Sequence, residues 1–327
     1  MKDIIIGLII FILILGLILF YPKEELNKEI KLFFPIYEKL TEEKAIDLAM
    51  KYDLLIMHSI NKDKISIIKK TNPNIILLEY KSFFLCDGID TADTTIEGYN
   101  QAKNNWFTTN NNEKINDNAA KSNCYLLNIK NKEVINYVKK QYLKEVKEDG
   151  FDGLFLDAVS LEPIGNYATA LDQFKNNQDW QKELLIYLET IYKDFQKENK
   201  LFILNLVEIE TIENYGNFAE EGQAIPQLFF ISDGGLDEIY LMGKWQDNLI
   251  FYRNPKKALE IQEFASKNNK FFLAYSQIET CQKKDIEYVL TKYKTIINNK
   301  SYLNPTCSAH HTYNIAVNNY EKIKEFI

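Results

Sequence analysis

From residue 30 onward, short apolar runs alternate with stretches whose apolar positions recur every three to four residues. Leu32 to Tyr37, Leu54 to Met57, Ile75 to Glu79, Leu154 to Leu156, Leu201 to Val207 and Lys270 to Tyr275 are too continuously apolar for strands with one wet face. They predict strands buried on both sides. Tyr125 to Ile129 and Asn314 to Val317 read as two more strands, the latter the last of the chain. Thr41-Glu-Glu-Lys44 opens a helix with a capping pattern that reaches Tyr52. Helices are also predicted over Lys62 to Lys70, Glu133 to Glu148, Trp180 to Lys197, Pro255 to Lys267 and Asp285 to Asn298. Strands alternating with helices imply parallel βαβ units, and about eight of them over roughly 300 residues is the size of a (β/α)8 TIM barrel. A doubly wound open sheet is the alternative, but neither a G-x-G-x-x-G nor a Walker loop is present.

Two segments break the alternation. Residues 83 to 123 form a long stretch rich in Asn, Thr and Asp, and loops of that length in compact domains are commonly functional. Trp106-Phe107 within it has to pack on protein or on a ligand. At the other extreme, Ile4 to Phe20 is an apolar run of 17 residues, with Lys2 before it and Pro22-Lys-Glu-Glu25 after it. A bilayer span takes about 20 residues, with a range of roughly 17 to 25. Leu17-Ile-Leu-Phe-Tyr21 lacks the small residues of a signal-peptide cleavage site, which favours an uncleaved transmembrane signal-anchor over a secretory leader. Either one places the remainder outside the cytoplasm. The expected organisation is an anchor at 1–22, a short linker at 23–29 and one domain at 30–327.

Composition narrows the function more than the fold. The chain has 327 residues, a net charge of −7 and a single arginine, Arg253, among its 39 basic residues. Bidentate phosphate recognition leans on arginine, so a nucleic-acid partner is disfavoured. The three histidines, His58, His310 and His311, show no H-x-x-x-H spacing and the cysteines no C-x-x-C. No metal or cofactor is therefore expected, and with no G-x-S-x-G elbow a serine hydrolase is not either. Cys86 and Cys124 flank the long stretch, and Cys281 and Cys307 bracket the last predicted helix. An oxidising compartment would permit bridges Cys86–Cys124 and Cys281–Cys307, with free buried thiols as the alternative.

The chemistry concentrates in a repeated pattern. Asp152-Gly153 precedes an apolar strand that ends at Asp157, and Asp233-Gly234 again stands five residues before an acid, Glu238. Asp157 can cap the following helix or point from a strand's C-terminal end into the mouth of a barrel, where such folds keep their active sites. Two carboxyls there, one protonated and one ionised, are what glycoside hydrolysis needs. Asn205 and Glu208 follow a buried strand and could hydrogen-bond sugar hydroxyls. Tyr80, Trp106, Tyr240, Trp245 and Tyr275, near strand ends, are candidate stacking platforms, each with ordinary core packing as its alternative.

Trp106-Phe107, Tyr125-Leu-Leu-Asn-Ile-Lys-Asn131, Asp149-Gly-Phe-Asp-Gly-Leu-Phe-Leu-Asp157, Asn205 and Asp233-Gly-Gly-Leu-Asp-Glu238 together resemble the hypothetical glycosyl hydrolase family 15, uncharacterised glycosidases related to the α-galactosidase-type barrels. The resemblance spans roughly residues 30 to 320 and implies a TIM barrel acting on a polysaccharide or oligosaccharide. It also implies a nucleophile at the end of the fourth barrel strand and an acid/base at the end of the sixth. Carried over, these are Asp157 and Glu238, with a retaining outcome expected; Asp233 competes for the second role and Glu208 is a fallback acid. Asn128 stands where the family pattern more usually has Asp. The reading from a different class is a barrel that binds polysaccharide at the cell surface without cleaving it.

Overall fold

Eight strands close on themselves in the computed structural model, which describes residues 29–86, 96–116, 123–161, 163, 168–205, 224–238, 240–244, 250–252, 255–278, 282–306 and 311–327. The expected anchor, most of the linker, Glu208, Trp245, His310 and the cysteines 281 and 307 lie outside the described residues. The strands are β1 (Lys31–Ile36), β2 (Leu54–Met57), β3 (Ile76–Ser82), β4 (Gly153–Asp157), β5 (Leu201–Asn205), β6 (Gly234–Asp237), β7 (Phe271–Gln277) and β8 (Ser301–Thr306). Each pairs in parallel with the next, and β8 pairs with β1. Among the described residues a barrel helix follows each strand: α1 (Glu42–Lys51), α2 (Ile65–Thr71), α3 (Lys132–Asp149), α4 (Asn177–Lys197), α5 (Ala224–Phe230), α6 (Pro255–Lys267), α7 (Lys283–Tyr293) and α8 (Tyr313–Ile323). This is a TIM barrel. Among the described residues no helix is long and apolar enough to cross a membrane.

The period-2 geometry of strands explains the apolar runs. Phe33, Ile56, Leu78, Phe155, Ile203, Leu236, Leu273 and Tyr302 fill the barrel, while Phe34, Leu55, Leu77, Leu156, Leu204, Phe272 and Leu303 join the layer beneath the helices. Side chains needed on both faces leave no polar alternation. Helix starts follow their capping residues: Thr41 accepts from Lys44 N at 3.3 Å, Asn131 from Glu133 N at 2.9 Å and Asn176 from Asp179 N at 2.9 Å.

The Asp-Gly echo is a closure device at the N-terminal end of the barrel. Asp53, Asp152 and Asp233 stand just before β2, β4 and β6. Each accepts a backbone N–H from the preceding strand: Leu32 at 2.8 Å, Leu77 at 2.8 Å and Phe202 at 2.9 Å. The glycines at 153 and 234 exist for close approach, since a Cβ there would lie 2.4 Å from the Leu201 carbonyl oxygen and 2.1 Å from that of Phe271. The front of each echo thus stabilises the bottom of the barrel, and only its last residue reaches the mouth.

Three expectations change. Tyr125 to Ile129 is not a barrel strand: Cys124–Leu126 pairs antiparallel with Phe84–Cys86 in a side hairpin, and the Cys86–Cys124 bridge closes it. Its separation of 38 residues corresponds to about 4 kcal/mol in the chain-entropy treatment. Asn314 to Val317 lies in α8, and the eighth strand is the polar Ser301–Thr306 instead. That strand is wholly buried, and its hydroxyls are satisfied by neighbours: Asn319 of α8 donates to Thr306 Oγ1 at 2.7 Å, and Ser301 Oγ donates to Asn298 Oδ1 at 3.0 Å. Finally, the long stretch 83–123 carries structure of its own, with a helix at Ile96–Gln101 and a hairpin of Thr109–Asn110 with Glu113–Lys114.

Candidate active site

Continuing the inward face of each strand by two residues names the mouth. Phe33 and Pro35 lead to Tyr37, Ile56 to His58, Leu78 to Tyr80, Phe155 to Asp157, Ile203 to Asn205, Leu236 to Glu238, and Leu273 to Tyr275. A narrow cleft is lined by Tyr37, Asp157, Asn205, Glu238, Tyr275 and His311, over a floor that includes Ile56, Phe155 and Leu236.

Asp157 sits at the C-terminal end of β4 and receives three donors. Tyr80 from β3 donates its hydroxyl to Oδ2. Asn205 donates from Nδ2 to Oδ1 at 2.5 Å, and the Ala158 backbone N–H reaches the same oxygen at 2.7 Å. That last bond is bought with strain: Ala158 has φ 58, a left-handed conformation that costs a residue with a Cβ about 1 kcal/mol or more. The carboxylate is therefore fixed in rotation by groups on three sides.

Glu238 follows β6 and shares a donor with Asp157. Asn205 Nδ2 is 3.3 Å from Glu238 Oε2. Oxygens held 2.5 and 3.3 Å from one nitrogen are at most about 5.8 Å apart, the two distances laid end to end. With an amide's two N–H bonds about 120° apart, the separation is nearer 5 Å. The Asn205 carbonyl oxygen is buried without a hydrogen-bond partner among the described residues, so the amide faces the two acids despite a cost of about 1–3 kcal/mol at its other end.

A continuous aromatic wall backs the acids. Tyr37 packs 4.8 Å from His58, 4.8 Å from Tyr80 and 4.6 Å from His311, measured between ring centroids. Tyr275 stands 5.9 Å from His311. Burial first, and then the charge of Glu238, push the Tyr275 phenol far above its ordinary value, so it stays neutral beside that acid.

The residues expected from sequence divide cleanly. Asp157, Asn205, Glu238, Tyr80 and Tyr275 come together at the mouth. Asp233 lies at the opposite end of the barrel: its carboxylate accepts from Phe202 N and, at 3.2 Å, from the Tyr192 hydroxyl, and burial raises its pKa. Tyr240 is fully buried behind β7, donating to Gln262 Oε1 at 2.5 Å and packing edge-on against Tyr293. Trp106 is buried at the end of a short helical turn and packs against α3, 5.0 Å from Tyr137, with its indole N–H 3.2 Å from Glu133; it does not line the cleft. Asn128 is a turn residue that bonds Lys130 N and the Asn105 carbonyl. Tyr37, His58 and His311 were missed. The first two needed only the strand alternation carried past the last apolar residue, whereas His311 arrives from the segment after β8 and has no local signal.

A family model described as hypothetical glycosyl hydrolase family 15 matches residues 69–293. No curated protein matches the sequence. Among solved structures, the catalytic domain of a β-amylase from Paenibacillus polymyxa superposes with a TM-score of 0.59 at 9% identity, over 91% of this chain and 98% of that one. Aspergillus fumigatus Ega3, in complex with galactosamine, gives 0.52 at 11% identity, over 86% and 93%. A cycloisomaltooligosaccharide glucanotransferase from a Paenibacillus species gives 0.51 at 11%; 76% of this chain is covered, but only 38% of that one. At such identities the likeness concerns the barrel fold alone.

Proposed function

The chain belongs to the hypothetical glycosyl hydrolase family 15 and is by family a glycosidase; from that premise we propose that it cleaves a polysaccharide or oligosaccharide by a retaining, two-carboxylate mechanism with Asp157 as nucleophile and Glu238 as acid/base. The observation that carries the proposal is the shared Asn205 amide. A retaining pair works at about 5–5.5 Å, while an inverting pair needs roughly 6.5–9.5 Å to admit a water. One –NH2 group that reaches an oxygen of each acid, with those oxygens about 5 Å apart, favours the first range over the second.

The roles follow from what each acid touches. Asp157 faces donors from Tyr80, Asn205 and Ala158, which suits the acceptor-only, ionised form of a nucleophile. In the first step its oxygen bonds to the anomeric carbon. The bond to the leaving oxygen breaks, and Glu238 supplies that oxygen's proton. In the second step Glu238 takes a proton from water, whose oxygen displaces Asp157 and frees the sugar. Tyr275 and Tyr37, which line the cleft, supply aromatic surface against which a sugar can pack.

We place the barrel outside the cytoplasm on an uncleaved N-terminal anchor. The apolar run Ile4 to Phe20 supports this, as does the Cys86–Cys124 bridge, which belongs to an oxidising compartment. Recovery of the protein in the membrane fraction with its N-terminus intact tests it; a soluble form beginning near residue 22 contradicts it.

The functional test is reducing-end release from a panel of cell-wall and extracellular polysaccharides by the wild-type protein and by Asp157→Asn. Release by the wild type, reduced at least about 10³-fold in a variant that still folds, supports the assignment. Equal activity in the variant removes Asp157 from the mechanism.

A further inference from the structure

Tyr80, which holds the nucleophile, is flanked in the sequence by two buried charges that face the other way. Strand alternation turns Glu79 and Lys81 outward from the barrel toward α3. Lys81 is 1% exposed, and its Nζ lies 2.9 Å from Glu79 Oε1 and 2.8 Å from Glu145 Oε2 on α3. Gln141 donates to the other Glu145 oxygen at 2.7 Å, and the ammonium is 5.9 Å from the centre of the Tyr142 ring. The Tyr142 hydroxyl reaches the Ser82 carbonyl at 3.3 Å. In register, Lys81 pairs with Leu156 and Ser82 with Asp157. The outer face of β3 is thus tied to α3 over the three residues whose inner neighbour bonds the nucleophile.

Stability does not account for the arrangement. A buried ion triad pays desolvation that well-packed apolar residues at the same positions would avoid, and such replacements are often neutral or stabilising. Burial lifts Glu79 to about 7, with Lys81 opposing and Glu145 and Asp149 adding to the rise. Burial also works against the charge on Lys81, but the two carboxylates outweigh it and hold the ammonium above its usual value. What the triad supplies that leucines would not is direction: a lysine pulled from two sides permits one placement of the strand.

We propose that Lys81, clamped between Glu79 and Glu145, is a positioning residue for the nucleophile, fixing β3 so that the Tyr80 hydroxyl stays on Asp157. The inference builds on the reading of Asp157 given above, but its test needs no substrate. In full-length protein carrying 13C-labelled aspartate carboxyls, the Asp157 signal is followed through a pH titration. Tyr80→Phe removes a donor to the ionised form and is expected to move the midpoint up. Lys81→Met is expected to move it in the same direction by a comparable amount, and to add nothing in the Tyr80→Phe background. Lys81→Arg, which keeps the charge, should restore most of the wild-type value.

A direct effect of the lysine charge on Asp157 would persist when Tyr80 is Phe, so equal shifts in both backgrounds overturn the proposal. An unmoved midpoint in a folded Lys81→Met protein overturns it as well. Should that variant fail to fold, the all-apolar Glu79→Leu/Lys81→Met/Glu145→Leu protein decides. It should be as stable as wild type and still show the raised midpoint; an unchanged midpoint there also overturns the proposal. Failure of the polysaccharide panel would leave this coupling standing, and failure of the coupling would leave hydrolysis standing.

Discussion

At the scale of single residues the site is a set of short side chains made specific by their neighbours. Asp157 collects donors from Tyr80, Asn205 and Ala158, and the Asn205 amide also reaches Glu238 at the longer distance. Glu238→Gln should therefore slow cleavage by about 10²–10⁴-fold on substrates with poor leaving groups and far less on activated aryl glycosides, which leave without a proton. Steady-state kinetics on the two substrate types checks this, and equal losses on both would give Glu238 another role. The position of Asp157 and Glu238 at the barrel mouth was legible in the sequence because each ends an Asp-Gly unit. Asp233 misled for the same reason, since a buried carboxylate that clamps a backbone N–H and one that faces a cleft have the same letter and the same apolar context. Trp106 and Tyr240 misled because aromatic residues at strand ends serve the core as readily as the mouth, and only burial separates the two uses.

At the scale of elements, the barrel is closed by small residues as much as by apolar ones. Gly153 and Gly234 stand where neighbouring backbones come too close for a Cβ. Gly153→Ala should destabilise the protein by more than about 3 kcal/mol, read as a drop in the denaturation midpoint without a change in m; a near-neutral effect would mean that β4 and β5 can separate at their start. Seven of the eight strands were visible as apolar runs or as the Asp-Gly echo. The eighth was not, because it is polar in composition, and Ser301 and Thr306 are buried by virtue of partners before β8 and on α8 that a local window does not contain. Tyr125 to Ile129 shows the converse: it has the composition of a barrel strand, but the side hairpin and its disulfide claim it.

For the molecule as a whole, the buried charges make stability depend on pH in an uncommon sense. Glu79 titrates near 7 in the fold, against an ordinary 4.5, so the folded state binds more protons between those values than the unfolded state does. Stability contributed by this group is then fully present below about 4.5 and is lost as pH rises to 7, by on the order of 3 kcal/mol. Chemical denaturation across that range should show the decline superimposed on other titrations, and Glu79→Gln should flatten it; identical slopes in both proteins would contradict the assignment. The parallel (β/α)8 architecture itself was legible because burying both faces of most strands leaves continuous apolar runs alternating with helical periodicity.

The most direct test of the account is covalent capture of the nucleophile. A 2-deoxy-2-fluoroglycosyl fluoride of the sugar found by the polysaccharide panel slows the second step more than the first, so the intermediate accumulates on a retaining enzyme. Peptide mapping by mass spectrometry should find one glycosyl adduct, on Asp157. An adduct on a different carboxylate, or turnover with no adduct and an inverted product, would contradict the assignment of Asp157 and Glu238.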